Sequence, residues 1–147
     1  MIPLFRLLQL SASERRLLVR TTLLVAAVRT GLWLLPFGTL RRLLARRRRS
    51  SRRAICRTEV SAARIVRFVA IVSACIPDAT CLTQAISAVV LLTRYGYAST
   101  LRIGVMKTGV ARLSAHAWVD LDGRIVIGEL PDMSCFTVLG SRHGDIL

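Results

Sequence analysis

Two short runs in this 147-residue chain hold side chains suited to nucleophilic catalysis. The first, Pro77-Asp78-Ala79-Thr80-Cys81-Leu82-Thr83-Gln84-Ala85, sets a cysteine at the start of a predicted helix. The second, Ser114-Ala115-His116-Ala117-Trp118-Val119-Asp120, sets a histidine inside a predicted strand, 35 residues further on. A thiol becomes a useful nucleophile when its pKa is lowered, and a helix N-terminus does this with its free N–H groups. A nearby histidine then holds the proton or forms an ion pair with the thiolate. The chain has only two histidines, His116 and His143, and the second lies in a terminal tail.

Taken singly, each residue has a plainer role. A cysteine opening a helix is more often a small buried hydrophobe, and a histidine among alanines is usually a satisfied core residue. Gln84 reads first as a helix-surface glutamine and Trp118 as core. Cys81 and His116 stand out because they occur together, in the right order and on the right element types.

Positioning the pair requires a helix that begins at Cys81 and a strand that contains His116. Thr80 is a good N-cap for a helix from Cys81 to about Tyr95, ended by Gly96. Cys81, Gln84, Ala85, Ala88 and Leu92 share one face of it. Upstream, Ser11 and Glu14 have capping-box spacing and open a helix to about Thr30, with Leu17, Leu18, Leu24, Val25 and Val28 at helical spacing. Pro36 and Gly38 break the chain, and a short arginine-rich helix is expected next. Another helix is expected from about Arg57 to Ala74, its core face supplied by Val60, Ala63, Ile65, Val66, Val69 and Val72, with Pro77 as its stop.

After Gly96 helical spacing gives way to strict alternation. Ser99 to Met106 reads as a strand with Leu101, Ile103 and Val105 on one face, and Lys107-Thr108-Gly109 as a turn. Leu113 to Leu121 is the next strand, Asp122-Gly123 a two-residue hairpin and Arg124 to Gly128 the return. Alternation puts His116, Trp118 and Asp120 on one face of the middle strand, and Ala115, Ala117, Val119 and Leu121 on the other. The expected fold class is α+β: N-terminal helices, then an antiparallel sheet on which the cysteine helix packs.

Composition narrows the function classes. Hydrophobic residues make up 53% of the chain, yet the most apolar stretch, Leu17 to Leu40, is interrupted by Arg20, Arg29, Pro36 and Gly38. An interfacial or buried helix therefore fits better than a membrane span. No secretory signal is read, and the chain is expected to be cytoplasmic. The net charge is +14, and Arg41 to Arg57 holds nine arginines and no acid, leaving +5 elsewhere. A basic run can bind nucleic acid or anionic lipid, but it lacks interleaved aromatics or a known module, so nucleic acid is not an expected partner. The four cysteines, Cys56, Cys75, Cys81 and Cys135, match no zinc spacing. Cys56, Cys75 and Cys135 are expected to be buried structural thiols, and no metal or cofactor is expected.

Several runs carry a family resemblance. They are Cys81-Leu82-Thr83-Gln84-Ala85, Leu91-Leu92-Thr93-Arg94-Tyr95-Gly96, Leu101-Arg102-Ile103-Gly104-Val105 and Ala115-His116-Ala117-Trp118-Val119-Asp120 with Gly123-Arg124. In order and spacing they resemble the protease half of the lasso-peptide maturation B protein, a transglutaminase-like (papain-like) cysteine protease similar to the microcin-processing B proteins. The resemblance covers residues 57–140. It divides the chain into a helical, arginine-rich arm over 1–56 and a protease domain over 57–147. No leader-recognition module precedes the protease half, as in the split arrangement, where a separate small protein presents the precursor.

The resemblance implies removal of the leader from a ribosomally made precursor peptide, which exposes the core's N-terminus to an ATP-dependent macrocyclase. It assigns Cys81 as nucleophile and His116 as base, with Gln84 and Trp118 open as substrate contacts. The family places an aspartate about 12 residues after the histidine, where this chain has Gly128. Glu129 is the first choice for the acid and Asp132 the second. Asp120 shares the His116 face but lies roughly 13 Å along the strand. Two other readings stay open. One is a non-catalytic scaffold of the same fold that presents the precursor. The other is a membrane-surface protein that binds through Leu17 to Leu40 and the arginine run.

Overall fold

The computed structural model of the chain describes residues 11–34, 36, 38, 39, 60–108 and 112–139. Helix α1 (Ala12–Leu34) opens with a complete capping box. The Ser11 N–H donates to Glu14 Oε2 at 2.9 Å, and the Glu14 N–H donates to Ser11 Oγ at 3.2 Å, so two otherwise orphaned donors are satisfied. The helix runs one turn beyond its expected end at Thr30. Its length and composition would allow it to cross a membrane, which the sequence reading discounted on Arg20 and Arg29. One stripe, Leu17, Thr21, Val25 and Val28, is nevertheless buried inside the protein.

Helix α2 (Ala62–Cys75) starts at Ser61, whose hydroxyl accepts from the Arg64 N–H at 3.4 Å. Ile65, Val69, Val72 and Ser73 form its buried stripe, with Val60 and Val66 packed beside it. Ala63, expected in that face, is exposed, because it falls on the opposite side of the helix from Ile65. Cys75 and Cys135 are also exposed rather than buried. Cys75 ends α2 beyond its last buried turn, and Cys135 ends a surface 3-10 turn (Met133–Cys135). Cys56, residues 57–59 and the expected arginine-rich helix lie outside the described residues.

Helix α3 (Cys81–Arg94) begins and ends as its sequence predicts. Gly96, at φ +87°, turns the chain so that the Tyr97 N–H reaches the Leu92 carbonyl at 2.9 Å, the left-handed ending that glycine allows. The Tyr97 hydroxyl then donates to the Val60 carbonyl at 2.9 Å, tying this ending to the start of α2.

The sheet has the order β3-β2-β1-β4 and is antiparallel throughout. Its strands are β1 (Ser99–Thr108), β2 (Arg112–Leu121), β3 (Arg124–Ile127) and β4 (Thr137–Val138). Lys107 and Thr108 extend β1 instead of forming a turn, since they continue the pairing with Leu113 and Arg112. The Asp122-Gly123 hairpin forms as expected, with φ of +52° and +78° at its two residues, the geometry a twisted two-residue hairpin needs. The short β4, not read from the sequence, pairs with β1 at Gly104 and Val105.

The core lies between the helices and one sheet face. Ile86, Val89 and Leu92 of α3 meet Ile65 and Val69 of α2, Val28 of α1, and Leu101, Ala117 and Val119 of the sheet. Two ion pairs brace α1, Arg64–Glu14 at 3.4 Å to helix α2 and Arg29–Asp78 at 3.5 Å to the turn between α2 and α3.

Glu14 titrates usefully. The hydrogen bonds from the Ser11 backbone and side chain hold its carboxyl below the ordinary 4.5 against the opposing desolvation, with a smaller contribution from the attraction of Arg64. A carboxylate depressed in the folded state adds stability above its unfolded pKa and loses it as pH falls through the folded value. Glu14→Gln should therefore lower the melting temperature at neutral pH. The difference from the unsubstituted chain should vanish on acidification below pH 4.5, as thermal melts across a pH series would show.

Candidate active site

Cys81 is the first residue of α3, at the positive end of the helix dipole. Thr80 caps the helix: its Oγ1 accepts from the Thr83 N–H at 3.5 Å and lies 3.3 Å from the Thr83 hydroxyl. The thiol is free and half-buried at the border of the core. About one, two and three turns along the same face, Ala85, Ala88 and Leu92 are fully buried, so packing fixes the rotation of α3 and hence the direction of Cys81. Gln84 shares that face and is half-buried.

His116 lies on β2 and is also half-buried. Its neighbours Ala117 and Val119 pack under the helices, so alternation directs the imidazole, with Trp118 and Asp120, to the other face. There His116, Trp118 and Phe136 form a triangle of rings. The centroids are 6.3 Å apart for His116–Trp118, 5.8 Å for His116–Phe136 and 6.4 Å for Trp118–Phe136, all within the range of favourable ring contacts.

Among the described residues the imidazole has one hydrogen bond. His116 Nε2 lies 2.7 Å from the backbone carbonyl oxygen of Gly128. A carbonyl only accepts, so Nε2 must carry the proton, and in the neutral ring Nδ1 keeps its lone pair. Nδ1 is thereby the ring's basic atom. Gly128 thus stands where the family resemblance implies an acid, and its main chain meets the histidine.

No other residue type fits there without strain. Gly128 has a φ of +81°, and a Cβ at this position would sit 2.7 Å from the Ala117 carbonyl oxygen and 3.1 Å from Trp118 Cα. A bulge between β2 and β3, where Val119 pairs with Ile127 but Asp120 with Ile125, inserts one residue just before it.

The candidate acids lie elsewhere. Glu129 and Asp132 are exposed, and Asp132 precedes the 3-10 turn without a side-chain cap bond. Asp120 is engaged by Arg102, whose Nε donates to its Oδ2 at 3.2 Å. Among the described residues no hydrogen bond joins Cys81 to His116, and none joins His116 to a carboxylate. His143 lies outside the described residues.

Two contributors escaped the sequence reading. Gly104 pairs with His116 across the β1–β2 ladder, and a Cβ there would come within 2.8 Å of Trp118 Cη2 and 3.1 Å of Phe136 Cβ. The aromatic triangle therefore depends on a bare backbone at 104. A glycine inside a strand is the available signal for such a close approach. Phe136 follows the 3-10 turn and had no signal beyond its apolarity.

Residues 22–141 match the family model described as the transglutaminase-like superfamily. The chain belongs to the transglutaminase-like superfamily. No curated protein and no solved structure matches it. The matched span begins within α1 and takes in α2, α3 and all four strands, and three helices before an antiparallel sheet agree with the expected α+β class. Superfamily membership is consistent with cysteine-based acyl chemistry and does not specify a substrate.

Because Gly128 offers a backbone carbonyl, removing nearby carboxylates should not disturb the ring. Nitrogen-15 chemical shifts of His116 should report the Nε2–H tautomer, unchanged in Glu129→Gln and Asp132→Asn. A tautomer switch in either variant would transfer the orienting role to that carboxylate.

Proposed function

We propose that this transglutaminase-like protein is a cysteine peptidase that removes the leader from a ribosomally made lasso-peptide precursor. It acts with a separate leader-recognition protein and hands the trimmed core to an ATP-dependent macrocyclase, in the cytoplasm. The observation that carries the reading is the oriented histidine: Nε2 is tied to the Gly128 carbonyl at 2.7 Å, leaving Nδ1 as base, in a domain whose central helix begins with a free cysteine. The lasso-precursor substrate rests on the sequence resemblance.

The chemistry follows from these roles. Nδ1 takes the Cys81 proton, and the thiolate attacks the carbonyl carbon of the leader–core bond. Backbone N–H groups in the first turn of α3 are the available donors for the tetrahedral oxyanion. As the C–N bond breaks, the imidazolium returns its proton to the leaving amine, which is the new N-terminus of the core. Water, deprotonated by Nδ1, then hydrolyses the thioester to free the leader carboxylate and regenerate the thiol. Cys81 borders the helix-side core while His116 lies on the reverse face of the sheet, so Sγ and Nδ1 would meet only after a rearrangement in the substrate complex. Gln84, one turn into α3, is the side chain proposed to meet substrate beside the thiol, and Trp118 acts by packing against His116.

A second reading draws on one observation. Cys81 and His116 share no hydrogen bond among the described residues, the arrangement expected of a non-catalytic scaffold that presents the precursor to partner enzymes.

Incubating the chain with precursor peptide and recognition protein, followed by intact mass, separates the two. The peptidase should make one cut at the leader–core junction. Cys81→Ala and His116→Ala should each lower the rate by about a thousandfold or more. A stable complex without cleavage would favour the scaffold.

A further inference from the structure

Helix α1 has two apolar faces, and the described residues cover only one. At about 3.6 residues per turn, Leu17, Thr21, Val25 and Val28 line the side packed inside the protein. Diametrically opposite run Val19, Leu23, Ala26, Thr30 and Leu34, with Trp33 at the C-terminal end. Val19 is 57% exposed, Leu23 67%, Leu34 66% and Trp33 79%. Large apolar side chains this open, aligned over four turns, mark a contact surface.

Charge selects the occupant. Arg15, Arg16 and Arg20 are exposed at the N-terminal end and edges of the stripe. The helix's one acid, Glu14, is turned away and engaged by Ser11 and Arg64. Nine more arginines follow between Arg41 and Arg57 with no acid among them. A second copy of this chain would set arginine against arginine at a net +14 each. An anionic bilayer surface accepts all the features together. Aliphatic side chains enter the acyl boundary, tryptophan sits at the headgroup level, and arginines reach the phosphates. Spanning is excluded by the packed face, since crossing the bilayer would strip Leu17, Val25 and Val28 from α2 and α3.

We infer that the outward face of α1 docks the protein in the plane of an anionic lipid surface, a property independent of the catalytic reading. Trp33 provides the readout, because the other tryptophan, Trp118, is 5% exposed. The full chain is mixed with vesicles of phosphatidylcholine alone or with phosphatidylserine added, and both emission and co-sedimentation are followed. With phosphatidylserine vesicles the emission should shift to the blue, and the shift should disappear in Trp33→Phe. Binding should fall by about tenfold or more on raising the salt, as an electrostatic component requires. The surface double variant Val19→Ser/Leu23→Ser, with circular dichroism unchanged, should lose about tenfold in affinity by loss of apolar contact. Failure to bind phosphatidylserine vesicles would overturn the inference. So would binding that the double variant leaves intact, which would assign it to the arginine run alone, or self-association that the double variant abolishes.

Discussion

Everything in this fold depends on the burial of α3. Eight of its fourteen residues, Thr83, Ala85, Ile86, Ser87, Ala88, Val89, Leu91 and Leu92, are buried, so the helix is apolar on nearly every side. It must be enclosed, with α1 and α2 on one flank and β1 and β2 on the other. Each fully buried aliphatic side chain contributes roughly 1.5–3 kcal/mol over its exposed state, and an internal helix cannot rotate without losing several at once. That rigidity extends to Cys81, one turn before Ala85 on the same face.

The sheet serves two unlike environments. Leu101, Ala117 and Val119 face the helices and belong to the core, while Arg102, Gly104, His116, Trp118 and Asp120 form the reverse face by alternation. Gly104 lets the Trp118 ring lie over the β1 backbone, and Phe136, just before β4, closes over it. Among the described residues the imidazole is thus held by two rings and one hydrogen bond rather than by a charge network. The ion pair nearest on that face, Arg102–Asp120, occupies the one carboxylate on β2.

What could be read from the sequence, and what could not, follows the range of the interactions. Caps and turns are local, so Ser11 with Glu14, Thr80 before Cys81, Gly96 and Asp122-Gly123 all act where their residue types indicate. The core face of α2 was legible except for Ala63, whose small apolar side chain fits either side of a helix. The full length of β1 is not local information, because Lys107 and Thr108 have the composition of a turn and become strand only through their pairing with β2. Counting to the position of the acid led to Gly128, but side-chain chemistry alone was being sought there. The bulge, a tertiary feature with no local signature, re-aims the chain at that point, so no count along the strand could show that a carbonyl faces His116.

A carbonyl in the third position divides a role that a carboxylate performs whole. An acid beside a catalytic histidine both holds the tautomer and stabilises the imidazolium that forms. The Gly128 carbonyl holds the tautomer at 2.7 Å and contributes a dipole in place of a charge. Restoring an aspartate by simple substitution at 128 is blocked, because its Cβ would strike the Ala117 carbonyl from a left-handed backbone. Among the described residues no carboxylate bonds the ring, so on the proposed mechanism the charge that balances the imidazolium would come from the reaction itself. In the proposed reaction that source would be the sulfur of Cys81 as it gives up its proton. If Cys81 acts as proposed, the nucleophile would double as the counter-ion, and the backbone at Gly128 needs only to keep the ring turned the right way.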